Sequence, residues 1–321
     1  MIAARDWLVL DYVREVYVEN KLLGCSERSA PEYLGAARAL DKSLGRPVRM
    51  AELSEPLITE FKRKRLADGR PSTTVNKDLR HLRPVWRLGH KQGVCPEPPE
   101  FDFLGEPEVL PEAWTLREFA AIVAACDGSP PVLGIPGVRF WRALMRCFYD
   151  TGFRVSAMLN LRTRDFDLER GTVMAPWSVQ KDNADHIIEL SRESLEELVL
   201  FDQWRPKARG LERLGLADVM FYWPKDRTVH AWPALTKGYR EILARAKLPS
   251  TGKDLFHKVR RLTATQVFIA HGLAAAQAHM GHSHPSVTKR YIDWKQARLI
   301  TSARSLPQPH IQGPQQRLFE A

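Results

Sequence analysis

YDTGFRVS at residues 149–156 joins two predicted helices. Apolar residues before it form one stripe of a buried helix, at Val138, Trp141, Leu144, Met145 and Phe148. Gly152 ends this helix, because glycine readily adopts the left-handed conformation of a C-terminal cap. Arg154 begins the next helix, so the sequence places a cation at the turn between the two.

Two further segments carry basic residues on predicted elements. Residues 172–174 and 186–190 predict two short strands, joined by a turn that contains Lys181. His257 and Arg260 are three residues apart, so on a helix they share one face. The buried face of the same helix is marked by Leu255, Val259 and Leu262.

The fourth segment reads MGHSHP at residues 280–285, and Tyr291 follows nine residues after His282. Tyr291 shares a stripe with Val287 and Trp294, which alone would indicate a core tyrosine. The sequence holds no Walker loop, nucleotide fingerprint or metal-carboxylate set, so phosphate chemistry would run without Mg²⁺ or ATP. Such chemistry needs guanidinium groups for the developing charge, an acid for the leaving oxygen and a nucleophile. The four segments supply that set.

Taken in this order, the segments resemble the tyrosine recombinase (phage integrase) family. In that family, TGxRxSE supplies an arginine and a β-hairpin supplies a lysine. HxLR supplies a histidine and a second arginine, LGH supplies a further histidine, and a tyrosine follows nine residues later. The resemblance covers about residues 115–306 and maps these groups onto Arg154, Lys181, His257, Arg260, His282 and Tyr291, the nucleophile.

The resemblance implies an enzyme that cleaves and rejoins double-stranded DNA at specific sites through a 3′-phosphotyrosine, with no cofactor. It also implies a homo-tetramer acting on two DNA sites. Arg154 and Arg260 would hold the non-bridging oxygens of the scissile phosphate, and His282 would add a hydrogen bond. Lys181 would protonate the 5′-oxygen, and His257 would exchange a proton with the nucleophile.

The sequence departs from the family pattern at positions that carry no catalytic group. Ala157 stands where an acidic residue is usual, and Arg261 stands where a second histidine is common. Val259 and Met280 replace the usual leucines. We expect Ala157 to change how the region of Arg154 is braced, and the apolar exchanges to matter little.

Alternatives stay open at the level of single residues and of the whole protein. A hairpin tip commonly carries a solvated lysine, and Lys207 is the substitute for Lys181 as the acid. His279, His282 and His284 have a spacing that zinc can use, but no carboxylate or thiol is close in the sequence. A non-catalytic DNA-binding protein of the same fold and a type IB topoisomerase are the alternative functions.

The net charge of +10 is concentrated in one part of the sequence. Residues 61–91 hold ten basic residues against Asp68 and Asp78, a local net charge of +8. Such a segment favours contact with a phosphate backbone over a merely solvated helix face, since few acids are available for pairing along the helix. The predicted DNA-binding residues are Lys62, Arg63, Lys64, Arg65, Lys77, Arg80, Arg83 and Arg87.

The chain of 321 residues, 44% hydrophobic and 27% charged, has the composition of a packed globular protein. We expect a mainly α fold with a helical core-DNA-binding domain and a mixed α/β catalytic domain that is mostly helical with a small β-sheet. The predicted boundaries are residues 1–100 for the first domain, 101–114 for a linker, 115–306 for the catalytic domain and 307–321 for a tail.

Targeting and redox signals are absent from the sequence. The first residues interrupt any apolar run with Arg5, Asp6 and Asp11, and no stretch approaches the length of a membrane span. The four cysteines are far apart and form no Cys-x-x-Cys pair, which favours buried thiols over disulfides or a zinc knuckle. We therefore expect a soluble, cytoplasmic, nucleoid-associated protein.

Overall fold

The computed structural model describes residues 6–25, 29–180, 184–208, 210–212, 214–221, 231–252 and 255–297. The chain divides into two units, Met1–Glu108 and Val109–Ala321. Helices dominate both, and a small antiparallel sheet lies in the second, which confirms the mainly α fold class. Lys181 and the predicted tail at residues 307–321 lie outside the described residues.

The first unit is helical throughout its described residues. A π-helical segment, Val13–Tyr17, connects the first two helices, so residues 9–21 form one continuous helical stretch. The α-helices of this unit are α1 (Val9–Tyr12), α2 (Val18–Lys21), α3 (Ser29–Leu44), α4 (Glu55–Ala67) and α5 (Ser72–Lys91).

Helix α5 contributes much of the core of this unit. Val75, Leu79, Leu82 and Trp86 recur at the spacing of one helical face, and all four are buried. The other helices contribute Tyr12, Leu40 and Phe61, all fully buried.

The Pro- and acid-rich segment that follows α5 packs along this helix. Phe101 is buried and stacks on Trp86, with ring centroids 6.3 Å apart. The buried side chain of Asn76 donates to the carbonyl of Leu104 and accepts from its N–H, both at 2.8 Å. Residues 101–104 therefore belong to the packing of the first unit.

The second unit combines helices with one three-stranded antiparallel sheet of order β1-β2-β3. Its strands are β1 (Phe166–Asp167), β2 (Thr172–Ala175) and β3 (His186–Glu189). Its α-helices are α6 (Leu116–Ala125), α7 (Gly137–Thr151), α8 (Val155–Met158), α9 (Arg192–Asp202), α10 (Arg205–Ala208), α11 (Ala231–Arg245), α12 (Leu255–Met280) and α13 (Pro285–Lys289).

The predicted hairpin is confirmed by the antiparallel pairing of β2 with β3, which aligns Val173 with Ile188 and Ala175 with His186. The sequence patterns did not predict β1, which pairs with β2 through Phe166 and Val173. Two residues are too few to show a period, so β1 is visible only through its pairing.

Local sequence sets two helix boundaries and one kink in this unit. Thr115 caps α6, since its hydroxyl accepts from the N–H of Glu118 while the Glu118 carboxylate accepts from the N–H of Thr115. Gly152 ends α7 with a φ of +58°, as predicted. Gly272, with φ of +83° and ψ of −177°, kinks α12 in its second half.

No described helix is long and apolar enough to span a lipid bilayer. All four cysteines are free: Cys126 and Cys147 are buried, Cys95 is half-buried and Cys25 is exposed. The expectation of buried thiols is therefore wrong for Cys25.

Candidate active site

The site forms where the end of α7 meets α12. The buried guanidinium of Arg260 on α12 donates from Nη1 to the carbonyl of Gly152, the residue that ends α7. One turn further along α12, the hydroxyl of Thr263 donates to the carbonyl of Tyr149 at 2.7 Å. These bonds use carbonyls that a helix C-terminus leaves without intrahelical partners. They fix α12 against the turn that begins the YDTGFRVS segment.

Asp150 links this turn to two other elements. Its carboxylate accepts from the N–H and the hydroxyl of Ser191, both at 2.7 Å, just before α9. Its carbonyl lies 2.8 Å from Nε2 of His279, near the end of α12. Burial lowers the pKa of His279, and the bond to Asp150 opposes this shift in part. The sequence patterns did not single out Asp150, because its role depends on contacts distant in sequence.

Arg260 is only 4% exposed and is held by acceptors of the protein itself. Besides the bond to Gly152, Nη2 lies 3.3 Å from the carbonyl of Met280 and 3.0 Å from Nε2 of His282. The guanidinium carbon lies 5.0 Å from the ring centroid of Tyr291. The structure therefore brings together three of the predicted residues, Arg260, His282 and Tyr291.

His282 is buried between two helices and fixed at both ring nitrogens. Its Nδ1 lies 3.0 Å from the hydroxyl of Thr288, a buried residue of α13. Its main-chain carbonyl accepts from Nε2 of Gln277 at 3.0 Å. The imidazole packs on Tyr291 with ring centroids 5.0 Å apart. Thr288 and Gln277 hold His282 in place, and both lie outside the motifs of the sequence.

Tyr291 follows α13 and is half-buried. The chain just beyond it is anchored by Asp293, which is 5% exposed. The Asp293 carboxylate accepts from the N–H of Ala113 at 3.0 Å, and its own N–H donates to the hydroxyl of Thr265 at 2.9 Å. The main chain two residues after Tyr291 is therefore fixed, while the tyrosine ring borders Arg260.

Arg154 lies directly before α8, two residues after Gly152, whose carbonyl accepts from Arg260. It is half-buried, and among the described residues it forms no hydrogen bond or ion pair that we find. Ala157 is 1% exposed, so a methyl group fills the place of the usual acid. The nearby carboxylate of Asp150 is bound to Ser191.

The remaining predicted residues of the site are His257, Lys181 and its substitute Lys207. His257 lies one turn before Arg260 on α12 but is exposed, whereas Arg260 is buried, so the expected common face is only partly correct. Lys181 lies outside the described residues, between Gln180 and Ala184. Lys207 on α10 packs over the ring of Trp204 at 5.8 Å.

The histidine-rich segment forms no metal centre in the part of the chain that the structure describes, where no group of three His, Cys, Asp or Glu side chains is close enough to hold an ion. His279 and His282 contact different partners, Asp150 and Thr288, and His284 is exposed.

The predicted DNA-binding cations of the first unit lie on α4 and α5, and most already have partners within this unit. These pairs are Lys62 with the carbonyl of Asp102, Lys64 with Glu60, Arg65 with Asp78, Lys77 with Glu32, Arg80 with Glu106, and Arg83 with the carbonyl of Phe101. Arg63 and Arg87 are exposed, and we find no hydrogen bond or ion pair for either among the described residues.

Comparison with known proteins places this geometry in a family. Residues 118–298 match the model of the phage integrase family, which is more than half of the chain. A putative tyrosine recombinase XerC of Pseudomonas aeruginosa is 23% identical over 303 residues, covering 88% of this chain and 69% of the relative. The tyrosine recombinase XerD of the same species is 26% identical over 266 residues, covering 79% and 82%.

Solved structures share the fold. The integrase of transposon Tn1549, in complex with a circular intermediate DNA, has a TM-score of 0.64 at 15% identity, covering 91% of this chain and 98% of that chain. A lambda integrase tetramer bound to a Holliday junction has a TM-score of 0.64 at 16% identity, covering 89% and 76%. The chain therefore belongs to the phage integrase family, the tyrosine-type site-specific DNA recombinases.

Proposed function

We propose that the protein breaks and rejoins double-stranded DNA with Tyr291 as the nucleophile. The phenolic oxygen forms a bond to the scissile phosphorus while the bond from phosphorus to the 5′-oxygen breaks. The phenol loses its proton and the departing oxygen gains one, which yields a 3′-phosphotyrosine and a free 5′-hydroxyl. One phosphate ester bond replaces another, so rejoining needs neither ATP nor a metal ion.

The observation that carries this proposal is the packing of Arg260, His282 and Tyr291. The Arg260 guanidinium and the His282 ring both lie against the tyrosine, and they are 3.0 Å from each other. A phosphate that displaces the 3.0 Å contact between the two side chains, and accepts a hydrogen bond from each, would be held beside the phenol. Arg154 supplies the second guanidinium, and forked donors suit the non-bridging oxygens better than an ammonium group does.

Two proton transfers complete the step. Lys181 donates a proton to the 5′-oxygen, with Lys207 as the substitute if Lys181 fails this role. His257 exchanges a proton with Tyr291. Its exposure on α12 leaves it accessible to a bound DNA strand.

The first unit supplies DNA contacts from α4 and α5, and the enzyme acts as a homo-tetramer on two DNA sites. Residues 1–100 form the core-binding domain and residues 115–306 the catalytic domain. Two integrases of the same fold support this assignment, one bound to a circular intermediate DNA and one as a tetramer on a Holliday junction. Arg63 and Arg87 are the cations best placed for phosphate contact, since the other six predicted ones are paired.

Covalent trapping tests the nucleophile. A nicked duplex made from the flanks of the native gene loses a short fragment on cleavage, so the adduct accumulates. Tyr291→Phe should bind this duplex as the wild type does and form no adduct, because only a hydroxyl is removed. Tyr149→Phe is the matched control: its ring stacks on Phe119, and loss of its hydroxyl should leave adduct formation intact. An adduct of the Tyr291→Phe protein contradicts the proposal.

Supercoiled plasmid without a cognate site separates recombination from topoisomerase activity. A site-specific recombinase should leave the plasmid supercoiled under conditions in which it cleaves its own site. Free relaxation by the wild type, lost in Tyr291→Phe, would assign the type IB activity instead.

A further inference from the structure

Helix α5 presents two hydrogen-bond donors that converge on one oxygen of Glu106. Nδ2 of Asn76 and Nη2 of Arg80, which lie one turn apart, both donate to Oε1 of the Glu106 carboxylate, each at 2.7 Å. Glu106 belongs to the segment 97–108, which holds five acidic residues and no basic one. Amide and guanidinium groups that meet at an anionic oxygen are also the donors that bind phosphate oxygens of DNA. We call Asn76 and Arg80 the α5 anion site.

Both donors are held in place by groups other than Glu106. Asn76 is fully buried, and its side-chain amide makes two bonds of 2.8 Å with the main chain of Leu104. These bonds use the amide oxygen and one N–H, so the second N–H is left for an anion. The guanidinium carbon of Arg80 lies 5.3 Å from the ring centroid of Phe103. The α5 anion site is therefore built independently of the carboxylate that it holds.

The carboxylate is the accessible partner in this arrangement. The side chain of Glu106 is 32% exposed and that of Arg80 is 54% exposed, and exposed ion pairs are weak. The bonds from Asn76 and then from Arg80 lower the pKa of Glu106, so it is an anion at neutral pH. The pair of Arg65 with Asp78 differs, because its side chains are only 11% and 13% exposed. A competing anion from solvent can thus replace Glu106 more readily than Asp78.

We propose that the α5 anion site is a phosphate-binding site, which Glu106 occupies in the free protein and from which a DNA phosphate displaces it. The inference rests on the proposed function, in which α4 and α5 contact DNA. It adds Asn76 to the DNA contacts, and it makes Glu106 an internal competitor of DNA. Because the carboxylate competes with phosphates of any sequence, it lowers the affinity of this helix face for all DNA.

Glu106→Gln tests the competition, because it removes the charge and keeps the length of the side chain. It should tighten binding of a duplex from the flanks of the native gene by about 2- to 5-fold, the range that corresponds to an exposed ion pair. Glu108→Gln is the matched control, since Glu108 is an exposed acid of the same segment for which we find no hydrogen bond or ion pair among the described residues. It should tighten binding clearly less.

Fluorescence anisotropy with labelled duplex at one salt concentration measures these affinities. Equal effects of Glu106→Gln and Glu108→Gln would assign the change to the general charge of the segment and would overturn the inference. Unchanged affinity in Glu106→Gln overturns it too. The melting temperature of each variant shows that it is folded under the conditions of the titration.

Arg80→Ala shows whether the effect of Glu106 passes through the guanidinium. In this background, Glu106→Gln should tighten binding no more than Glu108→Gln does, because the charged donor of the site is gone. A tightening as large as that in the protein with Arg80 would mean that the two side chains act independently, which contradicts the exchange of Glu106 for a phosphate.

The salt dependence of binding tests the phosphate contact itself. Arg80→Ala should reduce the slope of log K against log salt by about 0.9, the contribution of one phosphate contact. An unchanged slope would show that Arg80 keeps Glu106 in the DNA complex, and the inference would fail.

Adduct formation by the wild type separates failure of this inference from failure of the proposed function. If the wild type forms the Tyr291 adduct while Glu106→Gln binds DNA no tighter than Glu108→Gln, the proposed function stands and the exchange is rejected. If the wild type forms no adduct, the assignment of the nucleophile is rejected. The titrations still decide on the exchange in that case, because they measure binding alone.

Discussion

Arg260 illustrates how a buried cation can be held ready before its anion binds. A guanidinium that is 4% exposed would be costly without acceptors, and here Gly152, Met280 and His282 provide them. The planar fork is oriented by the protein alone, which is the condition under which the proposed phosphate contact would strongly stabilise a transition state.

Arg260→Lys should therefore slow cleavage much more than it weakens DNA binding. A lysine ammonium cannot place donors on Gly152, on His282 and on a phosphate in the same fixed plane. Loss of a preorganised donor typically costs about 2.7–4 kcal/mol in the transition state. Single-turnover adduct formation measures the rate and anisotropy with labelled duplex measures binding. Arg154→Lys should behave in the same way, and a wild-type rate in either variant contradicts its role.

We expect His279 to make the stability of the second unit decrease at acidic pH. Burial lowers the pKa of His279, so the folded protein binds fewer protons than the unfolded chain as pH falls through the ordinary histidine range. The stabilising effect of the neutral ring is present above that range and is lost as pH falls toward the depressed pKa. His279→Gln keeps a donor for the Asp150 carbonyl but cannot titrate.

We accordingly expect the melting temperature of the wild type to fall more between pH 7.5 and 5.5 than that of His279→Gln. Thermal unfolding at the two pH values measures the difference, in which the other titrating groups cancel. An equal decrease of the melting temperature in the two proteins would show that His279 does not contribute to the pH dependence of stability.

At the level of elements, local chemistry predicted the helix ends that carry the site. The apolar stripe of α7 and its end at Gly152 follow from neighbouring residues, and both are present as predicted. The capping box of Thr115 with Glu118 at the start of α6 is equally local. What the sequence could not show depends on partners far along the chain. The bond from Asp150 to Ser191 spans 41 residues, and the contact of Thr288 with His282 becomes visible only when α13 packs.

Gly152 connects the end of α7 to Arg260 of the proposed phosphate site, so its replacement should affect both stability and cleavage. A Cβ at Gly152 would lie 3.0 Å from Sδ of Met280 and 3.1 Å from Cγ2 of Thr263, at a φ of +58°. Gly152→Ala should destabilise the second unit by more than the roughly 1–2 kcal/mol that a left-handed alanine costs. Gly210→Ala is the control, because Gly210 has a φ of +64° with no heavy atom within 4 Å.

Urea unfolding of the two variants separates steric overlap from backbone strain, and cleavage assays show whether the Arg260 acceptor has moved. Equal destabilisation by the two alanines would mean that Met280 and Thr263 move aside at no cost in stability.

At the scale of the whole molecule, the net charge of the sequence segment identifies the basic helices. It does not show which of their cations are left without an ion pair and so remain available to DNA. The acids that pair with Lys77 and Arg80 are Glu32 and Glu106, which lie outside the basic segment 61–91. A count within that segment therefore overstates the number of free cations. Burial of Arg65, only 11% exposed beside Asp78, is likewise a property of the packed unit.

The salt dependence of DNA binding distinguishes free cations from paired ones. Each phosphate contact that a protein makes contributes about 0.9 to the slope of log K against log salt, because bound counterions are released. Arg63→Ala and Arg87→Ala should each reduce the slope by about this amount. Arg65→Ala should leave the slope unchanged, since its guanidinium already pairs with Asp78 at 2.5 Å, and should lower the melting temperature instead. Anisotropy titrations at several salt concentrations measure the slopes. A reduced slope in Arg65→Ala, or unchanged slopes in the other two variants, would show that DNA binding rearranges the ion pairs of α4 and α5.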